Sequence, residues 1–113
     1  MIGIDIESIS RFENLYLNKK ELLIKIFNKS EWNYAIAKAN PPRTLTGIWC
    51  AKEAIVKALY PTCQILIKDI TIKHKSTGEP FAEVNCKEVN SEFINISISH
   101  AKDYATSVAI ILE

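Results

Sequence analysis

Residues 49–59, WCAKEAIVKAL, decide the fold of this 113-residue chain because they predict its longest element. Their apolar side chains recur at the spacing of one helix face and are Trp49, Ile55, Val56 and Leu59. Pro42 stands just before this region and Pro61 just after it, the positions at which proline begins and ends a helix. We therefore predict a long helix over about residues 43–60, with its apolar face in a core.

Two charged residues of this helix stand one turn apart. Glu53 precedes Lys57 by four residues, the favourable order for a surface ion pair that stabilises a helix by about 0.2–0.5 kcal/mol. Such a pair needs no function. The alternative is that both side chains serve a site, for which other parts of the sequence must supply the partners.

The chain before this helix predicts one strand followed by short helices. The strand alternates isoleucine with small or acidic residues, as a half-buried strand does: Ile2, Gly3, Ile4, Asp5, Ile6 and Glu7. Apolar residues at helical spacing between positions 10 and 27 predict two short helices that break near Asn18. Ser30 is predicted to cap a third helix, which ends before Asn40.

The chain after Pro61 predicts strands. Four β-branched segments follow, with turn signals at 76–80 and 102–103: DITIKH, FAEVN, INISISH and YATSVAIIL. Helices come first and antiparallel strands second, which is typical of an α+β fold. A chain of this length buries one core, so we expect a single domain over residues 1–113.

Composition and charge exclude several classes of protein. The 14 basic and 13 acidic residues leave a net charge of +1, which excludes a polycation that coats nucleic acid. The start, MIGIDIES, lacks the basic residue and apolar run of a signal peptide, and no stretch reaches the roughly 18 apolar residues of a membrane span. We therefore predict a cytoplasmic protein with no membrane partner.

The three cysteines support the same location. Cys50, Cys63 and Cys86 are odd in number, stand far apart in the sequence and form no CxxC pair that could begin a zinc site. We expect them to be reduced thiols of a cytosolic protein.

Three carboxylates are candidates for a metal site. Asp5 and Glu7 share one face of the first strand, because side chains two residues apart in a strand point the same way. Two adjacent acids mark solvent, a basic partner or a hard cation, and solvent alone is the commonest reason. Glu53 supplies a third carboxylate if the long helix packs across the strand. The three together could surround one Mg²⁺.

Two further groups of residues are weaker candidates. Ser99 and His100 close a strand in ISISH, where a lone histidine is more often a bystander than a ligand. Arg11, Lys19 and Lys20 make the helical region after the first strand basic. They form either a solvated face or a docking face for an acidic protein.

Three stretches in this order resemble the 4'-phosphopantetheinyl transferase superfamily. They are GIDIE at 3–7, WCAKEAIVKAL at 49–59 and SISH at 97–100, and GEP at 78–80 is similar to the Gly-x-Pro turn of the family. The resemblance covers nearly the whole chain. It implies an enzyme that transfers 4'-phosphopantetheine from coenzyme A to a serine of an apo acyl carrier protein, depends on Mg²⁺ and releases 3',5'-ADP.

The length and the terminal SISH resemble the small holo-acyl-carrier-protein synthase type within this superfamily. That type assembles as a trimer with active sites between subunits, so the resemblance implies a homo-trimer, with a dimer as the second expectation. Glu7 and Trp49 instead resemble the larger surfactin-synthetase-activating type, in which three carboxylates hold the metal.

The resemblance also implies a role for each candidate residue. The implied metal ligands are Asp5, Glu7 and Glu53, and the implied catalytic residues are Glu53 and Lys57. The implied contacts to coenzyme A are Arg43, Lys52, Lys57, Ser99 and His100, and those to the carrier protein are Arg11, Lys19 and Lys20. The proton of the carrier serine passes either to Glu53 or to a water molecule at the metal, and the sequence leaves both open.

Two departures from the family pattern keep other functions open. Ile48 stands where these synthases usually have Arg, and Tyr60, Pro61 and Thr62 replace their Gly-rich turn. One alternative is a non-catalytic module that keeps the fold and binds coenzyme A or a carrier protein. Another is a metal-dependent hydrolase of coenzyme A, which needs no carrier.

Overall fold

The structure is a computed structural model and describes residues 1–112. Its helices and strands follow in the order β1 (Ile2–Ser8), α1 (Ile9–Asn18), α2 (Lys20–Ile26), α3 (Lys29–Ile36), α4 (Pro41–Leu59), β2 (Ile70–His74), β3 (Pro80–Val84), β4 (Ile94–His100) and β5 (Tyr104–Ile111). Short 3-10 turns at Ile67–Asp69 and Ser91–Phe93 precede β2 and β4. The predicted α+β class is confirmed, as are the break between α1 and α2 and the long fourth helix.

The strands form two antiparallel sheets. One has the order β1-β5-β4, and the other pairs β2 with β3. In the larger sheet Asp5 lies opposite Ser107, and His100 at the end of β4 lies opposite Ala105. The first strand is therefore paired with the last strand, and one helix can pack against both.

The long helix α4 packs directly against the backbone of β1. Ala51, Ala54 and Ala58 are buried and present only methyl groups to the strand. A Cβ atom added at Gly3 would lie 2.0 Å from the Ala54 carbonyl oxygen, so only glycine permits this approach. The close contact places the Gly3, Asp5 and Glu7 side of β1 under the helix.

The isoleucines of β1 therefore lie on the outer face of the sheet. Ile2, Ile4 and Ile6 are 67%, 65% and 62% exposed, although their alternation predicts a half-buried strand with its polar face toward solvent. The period-two pattern is right, but it does not say which face a helix covers. Here the helix covers the small and acidic face and leaves the apolar face uncovered.

The other side of α4 is covered by aromatic residues of the N-terminal helices. The Trp49 ring lies with its centroid 6.3 Å from that of Phe12 and 6.1 Å from that of Phe27. Phe12 and Phe27 are themselves buried. These contacts hold α1 and α2 against the helix and leave Glu53 and Lys57 on the side of α4 toward β1.

A buried ion pair joins α3 to α4. The Lys52 ammonium donates to Glu31 Oε1 at 2.8 Å, and both side chains have zero exposure. Glu31 Oε1 also accepts from the Asn28 backbone N–H at 2.9 Å, and Oε2 accepts from that of Ile72 at 2.8 Å. The cap of α3 is thus Asn28, and not Ser30 as predicted.

The sequence predicts three separate thiols, and the structure differs for two of these cysteines. The sulfur atoms of Cys63 and Cys86 lie in contact, in the arrangement of a disulfide. Cys50 is buried and its thiol donates to the Ala105 carbonyl oxygen at 3.3 Å.

In the part of the chain that the structure describes, no helix is long and apolar enough to cross a membrane.

Candidate active site

The candidate site lies where α4 crosses β1. The Lys57 ammonium donates to Asp5 Oδ1 at 3.2 Å and to the Ile4 carbonyl oxygen at 3.0 Å. The Asp5 side chain is only 11% exposed, whereas that of Lys57 is 53% exposed. A sheltered carboxylate thus lies beneath a cation that reaches solvent.

The second oxygen of Asp5 has no partner among the described residues. Asp5 Oδ2 is buried and accepts no hydrogen bond from residues 1–112. Buried carboxylate oxygens are normally matched by donors, water or a cation, because leaving one unmatched costs free energy. This oxygen therefore indicates a place for a cation or a bound water beside Asp5.

Glu53 faces the same place from the helix. Burial raises the pKa of the Glu53 carboxyl above its ordinary value, and the charge of Asp5 raises it further. The nearby Lys57 charge lowers it in part, while Glu7 adds a smaller repulsion. Carboxylates that repel one another in a half-buried site favour a divalent cation between them.

Glu7 forms an ion pair with Arg11. Arg11 donates to Glu7 Oε1 at 2.9 Å, one turn further along the chain. Among the described residues, Asp5, Glu7 and Glu53 do not bring three oxygens within 4.8 Å of one another. The arrangement among the described residues therefore does not by itself assemble the predicted three-carboxylate set.

The prediction that Lys52 contacts coenzyme A is not supported by its position. Its ammonium is fully buried against Glu31, on the side of α4 that faces α3 and β2. A buried ammonium without its carboxylate would be strongly unfavourable, so this lysine is held in the core. Lys57, one and a half turns later, is the lysine that reaches the candidate site.

A second part of the site lies at the N-terminal half of α4. The His100 Nε2 atom lies 3.0 Å from the Arg43 carbonyl oxygen, and the Arg43 guanidinium donates to the Ala101 carbonyl oxygen at 2.9 Å. A Cβ atom added at Gly47 would lie 2.7 Å from His100 Nε2. Arg43 and His100 therefore lie together at this half of the helix.

A cavity of about 220 Å³ lies beside His100. Its lining includes Gly47, Ile48, Gly78 and Pro80. His74 and Tyr34 also line it, with their rings stacked at 3.8 Å between centroids. Sequence reasoning gave His74 no role, and only its place in the fold brings it to this cavity.

The remaining predicted residues lie elsewhere. Ser99 is exposed and lines a shallow cavity with Ile4 and Thr106 on the outer face of the sheet, whereas His100 lines the cavity by α4. Lys19 and Lys20 are exposed where α1 meets α2, and the Lys20 ammonium lies 4.2 Å from the Tyr16 ring centroid. Ser99 and His100 are neighbours in the sequence, but within a single chain they line different cavities.

The family model of the 4'-phosphopantetheinyl transferase superfamily matches residues 1–109. The chain belongs to this superfamily. A holo-[acyl-carrier-protein] synthase of Caldicellulosiruptor bescii is 37% identical over 115 residues, which cover 96% of this chain and 94% of the relative. One of Thermodesulfovibrio yellowstonii is 35% identical and covers 97% of this chain and 96% of its own length.

A solved transferase of this superfamily has the same fold. The holo-[acyl-carrier-protein] synthase of Helicobacter pylori, in complex with coenzyme A, superimposes with a TM-score of 0.79 at 28% identity and covers 99% of this chain and 100% of its own. The match confirms the resemblance that the three sequence stretches indicate. The roles of single residues in this phosphopantetheinyl transferase remain proposals.

Proposed function

We propose that this chain transfers 4'-phosphopantetheine from coenzyme A to a serine hydroxyl of an apo acyl carrier protein and releases 3',5'-ADP. The observation that carries the proposal is the meeting of Asp5, Glu53 and Lys57 where α4 crosses β1. Relatives that match nearly the full chain are named holo-[acyl-carrier-protein] synthases. The fold and the charged groups support the same reaction.

Asp5 and Glu53 would hold the Mg²⁺ of this reaction, with Glu7 as an outer partner released from Arg11. When bound, the ion supplies positive charge that offsets the charge of the coenzyme A pyrophosphate. The unpartnered Asp5 Oδ2 and the raised pKa of Glu53 support these two residues as ligands. A site with two carboxylates and several waters is the usual arrangement for Mg²⁺ beside a substrate phosphate.

Lys57 would bind the phosphate that is transferred. Its side chain is half-exposed and, among residues 1–112, donates to Asp5 and one carbonyl oxygen, so the ammonium can turn toward an incoming pyrophosphate. In the reaction the serine oxygen forms a bond to the β-phosphorus, and the bond from that phosphorus to the bridging oxygen of 3',5'-ADP breaks. A cation beside these oxygens stabilises the charge that develops on them.

The serine proton has two possible acceptors among the groups at this site. Glu53 is the carboxylate on the helix side, and a water molecule beside the carboxylates is the other. The nucleotide end of coenzyme A would lie toward Arg43 and His100, whose cavity opens at the other half of α4.

The assembly would be a homo-trimer, with a dimer as the second choice. The outer face of β1 exposes three isoleucines to more than three-fifths of their full area, and Ile110 on β5 is 40% exposed beside them. Contiguous apolar surface on a small chain supports burial against another copy. Ser99, on this same face, would then contribute to a neighbouring subunit's site.

The carrier protein would approach over α1. Arg11 lies next to the site through Glu7, and Lys19 and Lys20 extend the basic surface to α2. An acidic carrier would be steered to this face by its charge.

A second candidate function is supported by Ile48. This residue is buried and lines the cavity beside His100, where an arginine would supply a cation to a phosphate. A non-catalytic module that binds coenzyme A or a carrier would need no such cation.

The mass of an apo acyl carrier protein incubated with the chain, coenzyme A and Mg²⁺ separates these functions. The proposed transferase adds one phosphopantetheine to the carrier. A binding module leaves the mass unchanged, and a hydrolase releases 3',5'-ADP in a reaction without carrier.

A further inference from the structure

A second cluster of metal-binding side chains lies away from the candidate active site. Cys63 follows the end of α4, and Cys86 follows the end of β3. The Cys86 Sγ atom lies 3.2 Å from Glu88 Oε2. The two sulfurs and a Glu88 oxygen all lie within 4.8 Å of one another. Among the described residues, this is the set of three metal-binding side chains that meets at such a distance.

Both cysteines are held in place by their own turns. The Cys63 backbone N–H donates to the Leu59 carbonyl oxygen at 2.7 Å, which fixes the turn at the end of α4. The Cys86 carbonyl oxygen accepts from the Val89 N–H at 3.4 Å, which folds Glu88 back toward Cys86. The two turns present the three side chains to one point before any ion binds.

The spacing of the two cysteines suits an ion between the sulfurs. Their Cα atoms are 7.0 Å apart, whereas a disulfide usually joins Cα atoms about 4.4–6.8 Å apart. Two sulfurs bound to one tetrahedral Zn²⁺ at about 2.3 Å lie about 3.8 Å from each other. The 7.0 Å separation of the Cα atoms therefore suits two thiolates that share one ion.

The ligand set selects the metal. Two thiolates favour Zn²⁺ over Mg²⁺, since Mg²⁺ takes oxygen ligands. Glu88 is exposed, and the two cysteines are partly exposed, so water can reach a fourth position. We propose that the reduced protein binds one Zn²⁺ through Cys63, Cys86 and Glu88, with water as the fourth ligand, and so ties the end of α4 to the β3–β4 connection.

The proposal does not depend on the transferase reaction, and cobalt provides a direct probe of it. The reduced wild-type chain, kept free of oxygen, is titrated with Co²⁺ alone. We expect a thiolate-to-cobalt charge-transfer band and the visible bands of a tetrahedral ion, both saturating at one equivalent. Added Zn²⁺ should abolish them, because Zn²⁺ binds such ligands more tightly than Co²⁺ does.

Matched variants assign the ligands. Cys63→Ser and Cys86→Ser should lose the charge-transfer band, and Glu88→Gln should keep the band but bind the ion more weakly. Cys50→Ala is the control, because that thiol is buried elsewhere, and it should keep the full signal. Circular dichroism on each variant checks folding.

Two results would overturn the zinc site. One is reduced wild-type protein that gives no charge-transfer band with Co²⁺ and shows no bound Zn²⁺ by mass spectrometry under native conditions. The other is a folded Cys63→Ser variant that keeps the band unchanged. The first result stands on the wild-type chain alone and does not depend on the folding of any variant.

Discussion

The Lys57 ammonium pairs with Asp5 across the β1–α4 contact, at 3.2 Å from Oδ1. Among the described residues, its ion pair is not with Glu53, one turn earlier on the same helix. The surface pair that the spacing alone predicts is therefore not formed. Glu53 and Lys57 instead both face Asp5 of the first strand, and this is the arrangement from which the proposed reaction follows.

Substitution of Lys52 should mainly lower the stability of the fold, whereas substitution of Lys57 should mainly lower the activity. Lys52→Met leaves Glu31 buried without its cation and should cost about 3–5 kcal/mol of unfolding free energy. Lys57→Met removes a half-exposed pair and should cost less than about 1 kcal/mol, yet it should strongly reduce phosphopantetheine transfer. Urea unfolding and turnover on both variants test this. A Lys52→Met chain of normal stability with a raised KM for coenzyme A would restore the coenzyme role of Lys52.

The contribution of His74 to the stability of the fold should be lost as the pH drops below 6.5. Burial, with a smaller effect of the Lys38 charge, lowers the pKa of His74 below its ordinary value of 6.5. The folded state then binds a proton less readily than the unfolded chain, so stability is present above pH 6.5 and is lost on acidification. Unfolding free energies measured by urea between about pH 5 and pH 8 should show this slope.

His74→Phe should make that slope shallower, because phenylalanine keeps an aromatic ring beside Tyr34 and does not titrate. Some dependence should remain, since burial also lowers the pKa of His100. A slope that is unchanged in His74→Phe would exclude His74 as its source.

Assembly should depend on the isoleucine face of β1. Ile4, which is 65% exposed in the single chain, lies in the middle of that face, and Ile4→Glu should convert the proposed trimer to a monomer while the fold survives. Leu17→Glu is the matched control, because Leu17 is 80% exposed on α1 and outside the sheet. Sedimentation of both variants at micromolar concentration measures whether the oligomeric state changes. If the wild type itself sediments as a monomer of 12.8 kDa in an active sample, the assembly is wrong.

Carrier recognition should depend on the basic surface of α1 and α2. The double change Lys19→Glu and Lys20→Glu should raise the KM for the carrier at low salt and leave that for coenzyme A nearly unchanged. Added salt should weaken the wild type in the same direction. Lys68→Glu, an exposed lysine before β2, is the control. A reversal that alters neither constant would show that this surface is only solvated.

The element order follows from the sequence because its signals are local. Proline on either side of α4, the alternation in the strands and the break near Asn18 each act within a few residues. The site is also predictable in outline, because GIDIE and WCAKEAIVKAL carry its acids and its lysine. Their meeting depends on Gly3, which the sequence contains but whose contact with Ala54 only the packing makes evident.

Other features depend on contacts between distant parts of the chain. Lys52 and Lys57 stand in the same helix, and only the position of Glu31, on another helix, buries the first and leaves the second at the site. Alternation in β1 gives two faces but does not say which one α4 covers. Cys63 and Cys86 are 23 residues apart, and no spacing rule predicts that two separate turns bring them together.

The most direct test of the proposed site is the mass of an apo acyl carrier protein after incubation with coenzyme A, Mg²⁺ and Glu53→Gln, beside wild type. Glu83→Gln, an exposed acid on β3 paired with Lys73, is the control. We predict that wild type and Glu83→Gln add one phosphopantetheine and that folded Glu53→Gln adds none in the same time. Near-normal modification by Glu53→Gln would contradict the assignment of the active site to the crossing of β1 and α4.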